Sequence, residues 1–367
     1  MSLDKIHLFQ ARTGGYHVYR IPGLLVTRNG VVLATTEARR GGGGDWDRND
    51  VLIRRSLDGG WTWDTPRCVV NADAYGDGPV SNFVMIADEP SGVVQVLYCW
   101  NYARVFHMSS DDDGATFSSP VEITSVLEAF RTEYPWRVIA TGPGHGTQMR
   151  NGRMIVPLWM SDGTGTEFGP GKLGHRPSCV SFLYSDDHGA TWQCGPIVVP
   201  QSAVKNPSET LCVELADGSL YFNVRTESDA HRRMVVVSPD SGMTWSAPRF
   251  DEALLEPVCM ASLVRYDWPR ETRPGRILFA NPDNLEREFS MWEPARDRKR
   301  LTVKMSMDDG RTWPVSRVLE EGPSGYSDLA VVPGGSLLCL YENGMIDNMY
   351  DGRCLTLARF DLDWLTH

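Results

Sequence analysis

A length of 367 residues, a formal charge of −11, and 41% hydrophobic against 23% charged residues describe a folded chain with one large core. That charge argues against a nucleic-acid surface, which needs clustered surplus Lys and Arg. Thirty-five glycines, 23 prolines and 12 tryptophans call for many tight turns and aromatic packing.

At the N-terminus, Met1 to Phe9 has no charged segment followed by an apolar stretch, and no run of 18 apolar residues occurs anywhere in the chain. No signal peptide or membrane span is therefore expected, and a cytoplasmic location is the reading. The eight cysteines (Cys68, Cys99, Cys179, Cys194, Cys212, Cys259, Cys339 and Cys354) form no CxxC pair, which fits thiols that are mostly buried, in a reduced compartment, rather than a zinc or redox motif.

Tyr19-Arg20-Ile21-Pro22 leads into a strand-like run, Gly23 to Thr27. Thr35-Thr36-Glu37-Ala38-Arg39 follows, then four glycines, Gly41 to Gly44, and the acidic stretch Asp45-Trp46-Asp47-Arg48-Asn49-Asp50. Such a glycine run makes a loop tip able to approach a ligand closely.

A turn motif of the form S-x-D-x-G-x-T-[W/F] then recurs five times, starting at Ser56, Ser110, Ser185, Ser238 and Ser306 and ending at Trp63, Phe117, Trp192, Trp245 and Trp313. Ser and Asp hydrogen-bond nearby backbone amides, Gly takes a positive φ, and the terminal aromatic packs beneath the turn, so each copy predicts a β-hairpin. Strand-like runs such as Val51–Arg55, Cys179–Tyr184 and Arg233–Val237 precede the copies. Spacings of 54, 75, 53 and 68 residues suit one four-stranded propeller blade per copy. Five hairpins with chain to spare predict an all-β, six-bladed β-propeller occupying residues 1–367 as a single domain, its ring closed by the N-terminal strand. Alone, this repeat says nothing about catalysis.

Further chemistry-bearing stretches lie between and after the hairpins. They are Gly142-Pro143-Gly144-His145-Gly146-Thr147-Gln148; Pro207-Ser208-Glu209 through Asp217-Gly218 to Arg225; an arginine-rich insertion from Asn284 to Arg300; and Gly325-Tyr326-Ser327-Asp328 with Cys339-Leu340-Tyr341-Glu342.

Taken in order, these segments resemble the sialidase (neuraminidase) family of glycoside hydrolases, whose [F/Y]-R-I-P, A-E-x-R, repeated Asp-box, N-E-x-x-V-E-L…N-x-R and Y-S-D-L…C-L-Y-E elements they match from Tyr19 to Glu342. The resemblance implies a sialidase-fold propeller and a retaining exo-glycosidase acting on terminal sialic acid or a related nonulosonic acid of a glycan. It assigns Tyr326 as nucleophile, Glu209 as its base, and Arg20, Arg225 and Arg298 as a clamp for the substrate carboxylate. Glu37 would steady the arginine cluster and Arg39 would line the pocket. The family's acid/base aspartate lies ten residues before the second arginine of the strand end at Arg55, which gives Asp45, with Asp47 and Asp50 as alternatives. Arg287, Arg296 and Arg300 compete with Arg298. One departure stands out: Ser208 replaces the usual Asn before the glutamate. Residues 142–148 would form pocket wall; Phe289, Met291 and Trp292 would line an aglycone site; Met85 and Trp100-Asn101-Tyr102 would contact the rest of the sugar.

These residue types suit that chemistry. A sialic acid carries its carboxylate on the anomeric carbon, so an anionic nucleophile is repelled and a neutral phenol is not. A phenol with a free pKa of about 10 needs an adjacent base, and tyrosine is the known exception to the two-carboxylate rule. Arginines hold a carboxylate by bidentate charge-assisted bonds. The chemistry requires no cofactor or metal.

Overall fold

The computed structural model describes residues 3–290 and 292–367. Six four-stranded antiparallel blades stand around an axis. Blade one comprises Val18–Val26, Val32–Arg39, Asn49–Ser56 and Arg67–Val70. Blade two runs from Val80–Ala87 to Val121–Glu122, blade three from Val138–Thr141 to Gln193–Cys194, and blade four from Thr210–Glu214 to Arg249–Leu255.

Blades five and six share one long strand, Val315–Val331. Up to Pro323 it pairs with Lys299–Ser306 as the outer strand of blade five; from Ser324 it pairs with Leu337–Asn343 as the inner strand of blade six. The outer strand of blade six is Leu3–Gln10, antiparallel to Cys354–Phe360, so the N-terminal strand closes the ring as its sequence position predicts. Among the described residues, no helix is long and apolar enough to cross a membrane.

Each interface between neighbouring blades holds its own apolar cluster, such as Leu33, Ile53, Val80 and Tyr98 between blades one and two, or Leu278, Val303, Leu337 and Phe360 between five and six. Middle strands are covered on both faces, which is why Val32–Arg39 and Met154–Ser161 are buried along their whole length. Outer strands are short, two to four residues in blades one to three, which limits exposed edge.

The five repeated hairpins adopt one geometry. In the first, Ser56 Oγ donates to Asp58 (2.7 Å) and accepts from the Gly60 amide (2.8 Å), while Thr62 Oγ1 donates to Asp58 (2.6 Å). The fifth residue is left-handed in every copy, from φ 72° at Gly114 to 102° at Gly242, and only glycine fits there. A Cβ on Gly114 would meet Leu33 at 2.9 Å, one on Gly189 would meet Gln95 at 2.5 Å, and one on Gly242 would meet Phe182 at 2.5 Å. Each hairpin thus seats on the preceding blade. In blade one, Arg39 pairs with Asn49 at one end and Val32 with Ser56 at the other, so the hairpins sit at the opposite end from the glycine loop.

Candidate active site

Inner strands of blades six, one and two each carry an extra residue relative to their neighbour, between Ser324 and Ser327, Arg20 and Gly23, and Ser81 and Val84. A β-bulge frees backbone N–H groups from the ladder and re-aims side chains. Here the freed amides meet buried carboxylates. Tyr326 N and Ile21 N donate to Glu342 (3.1 and 3.3 Å), and Asn82 N donates to Glu37 (2.9 Å). Glu342 in turn takes the Arg20 guanidinium (Nε 3.0 Å, Nη2 3.3 Å), and Glu37 takes Arg39 (Nε 3.1 Å, Nη2 2.7 Å). Burial alone would raise the Glu342 carboxyl, but Arg20 and then Arg298 hold it below the usual range; at Glu37 burial wins over Arg39 and raises it.

The Tyr326 hydroxyl donates to Glu209 Oε1 and accepts from Arg225 Nη1 (2.7 Å), which also pairs with Glu209 Oε2. Guanidinium carbons of Arg20 and Arg298 stand 5.3 and 5.0 Å from the centre of the Tyr326 ring. Arg298 Nη2 donates to the Val258 carbonyl (2.9 Å), and Arg225 Nε is buried without a partner among the described residues. Burial raises the Tyr326 phenol far above its ordinary value, with Arg225 opposing and Glu209 reinforcing the rise, so the resting tyrosine is neutral.

Arg20, Arg39, Glu209, Arg225, Arg298 and Tyr326 line one cavity of about 750 Å³ at the mouth of the ring. Across it, the Gly41–Gly44 loop brings Asp45 to Arg39 Nη1 (2.7 Å). Burial would raise Asp45, but Arg39, His175 and Arg20 outweigh it and hold the carboxyl far below its usual value. Asp45 is therefore a carboxylate at rest. The adjacent ring of Trp46 packs on Tyr102, Phe168 and His175, at centroid distances of 5.1, 6.3 and 5.8 Å. Burial pushes the His175 imidazole down to about 4, so it is neutral at pH 7. Arg176 bridges Glu227 (2.6 Å) and Glu167 (3.0 Å) beneath the Trp292 ring, whose Nε1 donates to Tyr350 (2.8 Å).

Arg20, Arg39, Asp45, Glu209, Arg225, Arg298 and Tyr326 come together at this cavity, and Glu37 lies directly behind Arg39. The alternatives do not. Asp47 accepts from the Gly44 amide (2.8 Å) and shapes the glycine loop, whereas Asp50 is buried against Tyr16, Arg40 and Ala72 N. Arg287 and Arg296 pair with Glu293, and Arg300 is exposed.

Residues 142–148 are not pocket wall. They run beneath the site on the axis, where Gly144 abuts Leu211 and Met260, and His145 Nδ1 contacts Asp328 (2.8 Å). Neither Met85 nor residues 100–102 line the cavity; Met85 and Tyr102 are packed in the core. Of the expected aglycone residues Trp292 lines the cavity, Phe289 points to solvent, and Met291 lies outside the described residues. Sequence reasoning gave no role to Glu342, Trp159, His175 or Arg176. For Glu342 a signal existed in the Cys339–Glu342 segment; the others sit in or beside a loop, residues 162–177, that carries no repeat.

The BNR repeat-like domain family matches residues 30–339. The chain is 29% identical to the sialidase of Micromonospora viridifaciens, over 96% of its own length and 52% of that protein's. It is 27% identical to the sialidase of Bacteroides fragilis (strain YCH46), over 89% of its own length and 60% of the relative's. The chain thus spans little more than half the length of these curated relatives. Among solved structures, Hadza microbial sialidase Hz136 superposes with a TM-score of 0.79 at 26% identity, covering 99% of this chain and 69% of that one.

Proposed function

The chain belongs to the BNR repeat-like domain family, and we propose that it is a retaining exo-sialidase that hydrolyses terminal sialic acid, or a related nonulosonic acid, from glycoconjugates. The observation that carries this reading is the Tyr326 phenol hydrogen-bonded to Glu209 within reach of three guanidinium groups.

Arg20, Arg225 and Arg298, which all line the cavity, bind the sugar carboxylate. That anchors the anomeric carbon in front of Tyr326. Glu209 removes the phenolic proton as the oxygen attacks, since a phenol raised so far by burial does not ionise by itself. Asp45 takes up a proton as substrate displaces water, delivers it to the departing glycosidic oxygen, and as a carboxylate then activates the water that releases the sugar from tyrosine.

Release of the fluorophore from a panel of α-linked fluorogenic nonulosonic glycosides differing at C5 tests the proposal. Turnover of at least one by the parent chain, abolished in Tyr326→Phe, is the expected result. A folded protein that cleaves none of them, or a Tyr326→Phe variant with parental turnover, overturns it.

A further inference from the structure

Among the described residues, only two β-branched side chains sit on left-handed backbone: Ile21 at φ 57° and Val258 at φ 67°. Both are true outliers, because two heavy atoms on Cβ crowd the following carbonyl in that region. Ile21 is the more unusual, since a residue before proline is pressed toward extended backbone. Fully regular alternatives exist for such residues, so the surroundings must enforce this conformation.

Each outlier touches one arginine of the cluster. Ile21 directly follows Arg20 in the blade-one bulge, and its left-handed turn brings its own N–H and the Arg20 Nε onto the same oxygen, Glu342 Oε1 (3.3 and 3.0 Å). Because Pro22 has no N–H, the bulge leaves no ladder donor orphaned there. Val258 offers its carbonyl to Arg298 Nη2, the one acceptor found for that side chain among the described residues. Its neighbours are fixed from below. Cys259 N donates to Glu256 Oε1 (2.9 Å), Arg233 Nη1 donates to the Cys259 carbonyl (3.1 Å), and Arg233 and Glu256 form a fully buried pair (2.6 Å).

We propose that Ile21 and Val258 are positioning residues for the carboxylate clamp, each held in strained left-handed backbone so that Arg20 and Arg298 are fixed before substrate arrives. The inference rests on the reading of the arginine cluster as the substrate carboxylate site. Relaxing Val258 to ordinary backbone swings its carbonyl off Arg298; relaxing Ile21 separates its amide from the oxygen that Arg20 uses. The guanidinium groups then wander, and the clamp must be ordered at the substrate's cost.

Paired glycine and alanine substitutions isolate the backbone from the side chain. Both remove nearly the same atoms, but glycine accepts positive φ freely and alanine does not. We expect V258G to melt above V258A, and I21G above I21A, the reverse of the usual order of these two residues. With a fluorogenic sialoside as probe, KM should rise about tenfold in each alanine variant, while each glycine variant stays within about threefold of the parent. A merely structural role would shift melting temperature and leave KM the same in both members of a pair. Equal KM values, or alanine melting above glycine, overturn the proposal. Ile21, which is only half-buried, gives a second pair should the Val258 variants fail to fold. A parent chain that cleaves no sialoside refutes the functional reading instead, and the melting order still decides whether the two positions are strained.

Discussion

The phenol of Tyr326 donates to the carboxylate of Glu209 across 117 residues of sequence, from the inner strand of blade six to the mouth of blade four. Two groups so far apart meet because inner strands of a propeller converge, and because the blade-six bulge turns Tyr326 toward the common opening.

If the two act as one unit, their losses do not add. Glu209→Gln keeps the shape but removes the base, and turnover should fall by roughly 10²–10⁴-fold. Tyr326→Phe should lose at least as much, and the double variant E209Q/Y326F no more than the worse single one. Steady-state kinetics on a fluorogenic sialoside measure all three; fully additive losses would separate the residues' roles.

Arg225 donates to Tyr326 and pairs with Glu209, and in the proposed function it also binds the substrate carboxylate. Arg225→Ala should lower kcat/KM on the order of 10²-fold, the scale of one charge-assisted hydrogen bond plus a misplaced reacting carbon. Unchanged efficiency would show that the substrate carboxylate binds elsewhere.

The Arg39–Asp45 pair sets a pH dependence with a definite sign. Arg39 holds Asp45 low, and in the proposed mechanism the proton that Asp45 donates is lost as pH rises. The alkaline limb of kcat/KM, which reports the free enzyme, should move to higher pH when that hold is removed. The paired variant E37Q/R39Q does so without leaving Glu37 as an unpaired buried carboxylate. A pH–rate profile whose alkaline limb stays in place would count against Asp45 as the acid.

Hairpin aspartates predict acid sensitivity far from the site. Hydrogen bonds from the hairpin Thr, backbone and Ser groups hold Asp58, Asp112 and Asp240 down to about 2. A carboxyl lowered in the folded state contributes stability above its unfolded value of about 3.9, and that contribution disappears as pH falls from about 4 toward 2. Melting temperature should therefore drop steeply in that window, and less steeply in D112N. Equal slopes for parent and variant would contradict the linkage.

The hairpins were legible because their chemistry is local: Ser, Asp, Gly and Thr satisfy one another within eight residues. Arg20, Glu209, Arg225 and Tyr326 were legible through the ordered resemblance, since their pattern is fixed by the strands that carry them. Asp45 and Arg298 lay in segments where length varies and spacing leaves several candidates; only the path of the backbone separates Asp45 from Asp50, which faces Tyr16 and Arg40 instead. Residues 142–148 misled because a glycine-rich run serves equally to approach a ligand or a neighbouring strand, and here it approaches Ile86, Leu211 and Met260. The left-handed turns at Ile21 and Val258 run against residue preference, so no local rule reveals them.

The hairpin glycines have one more consequence. They seat blades one to five each on its predecessor at the end away from the cavity, while blades five and six are joined by the shared strand Val315–Val331, so every junction of the ring is held away from the mouth. Loops at the mouth, such as 162–177, take no part in those junctions. They are free to lengthen, shorten or exchange side chains while the ring stays shut, so the lining of the cavity and the durability of the ring can drift independently.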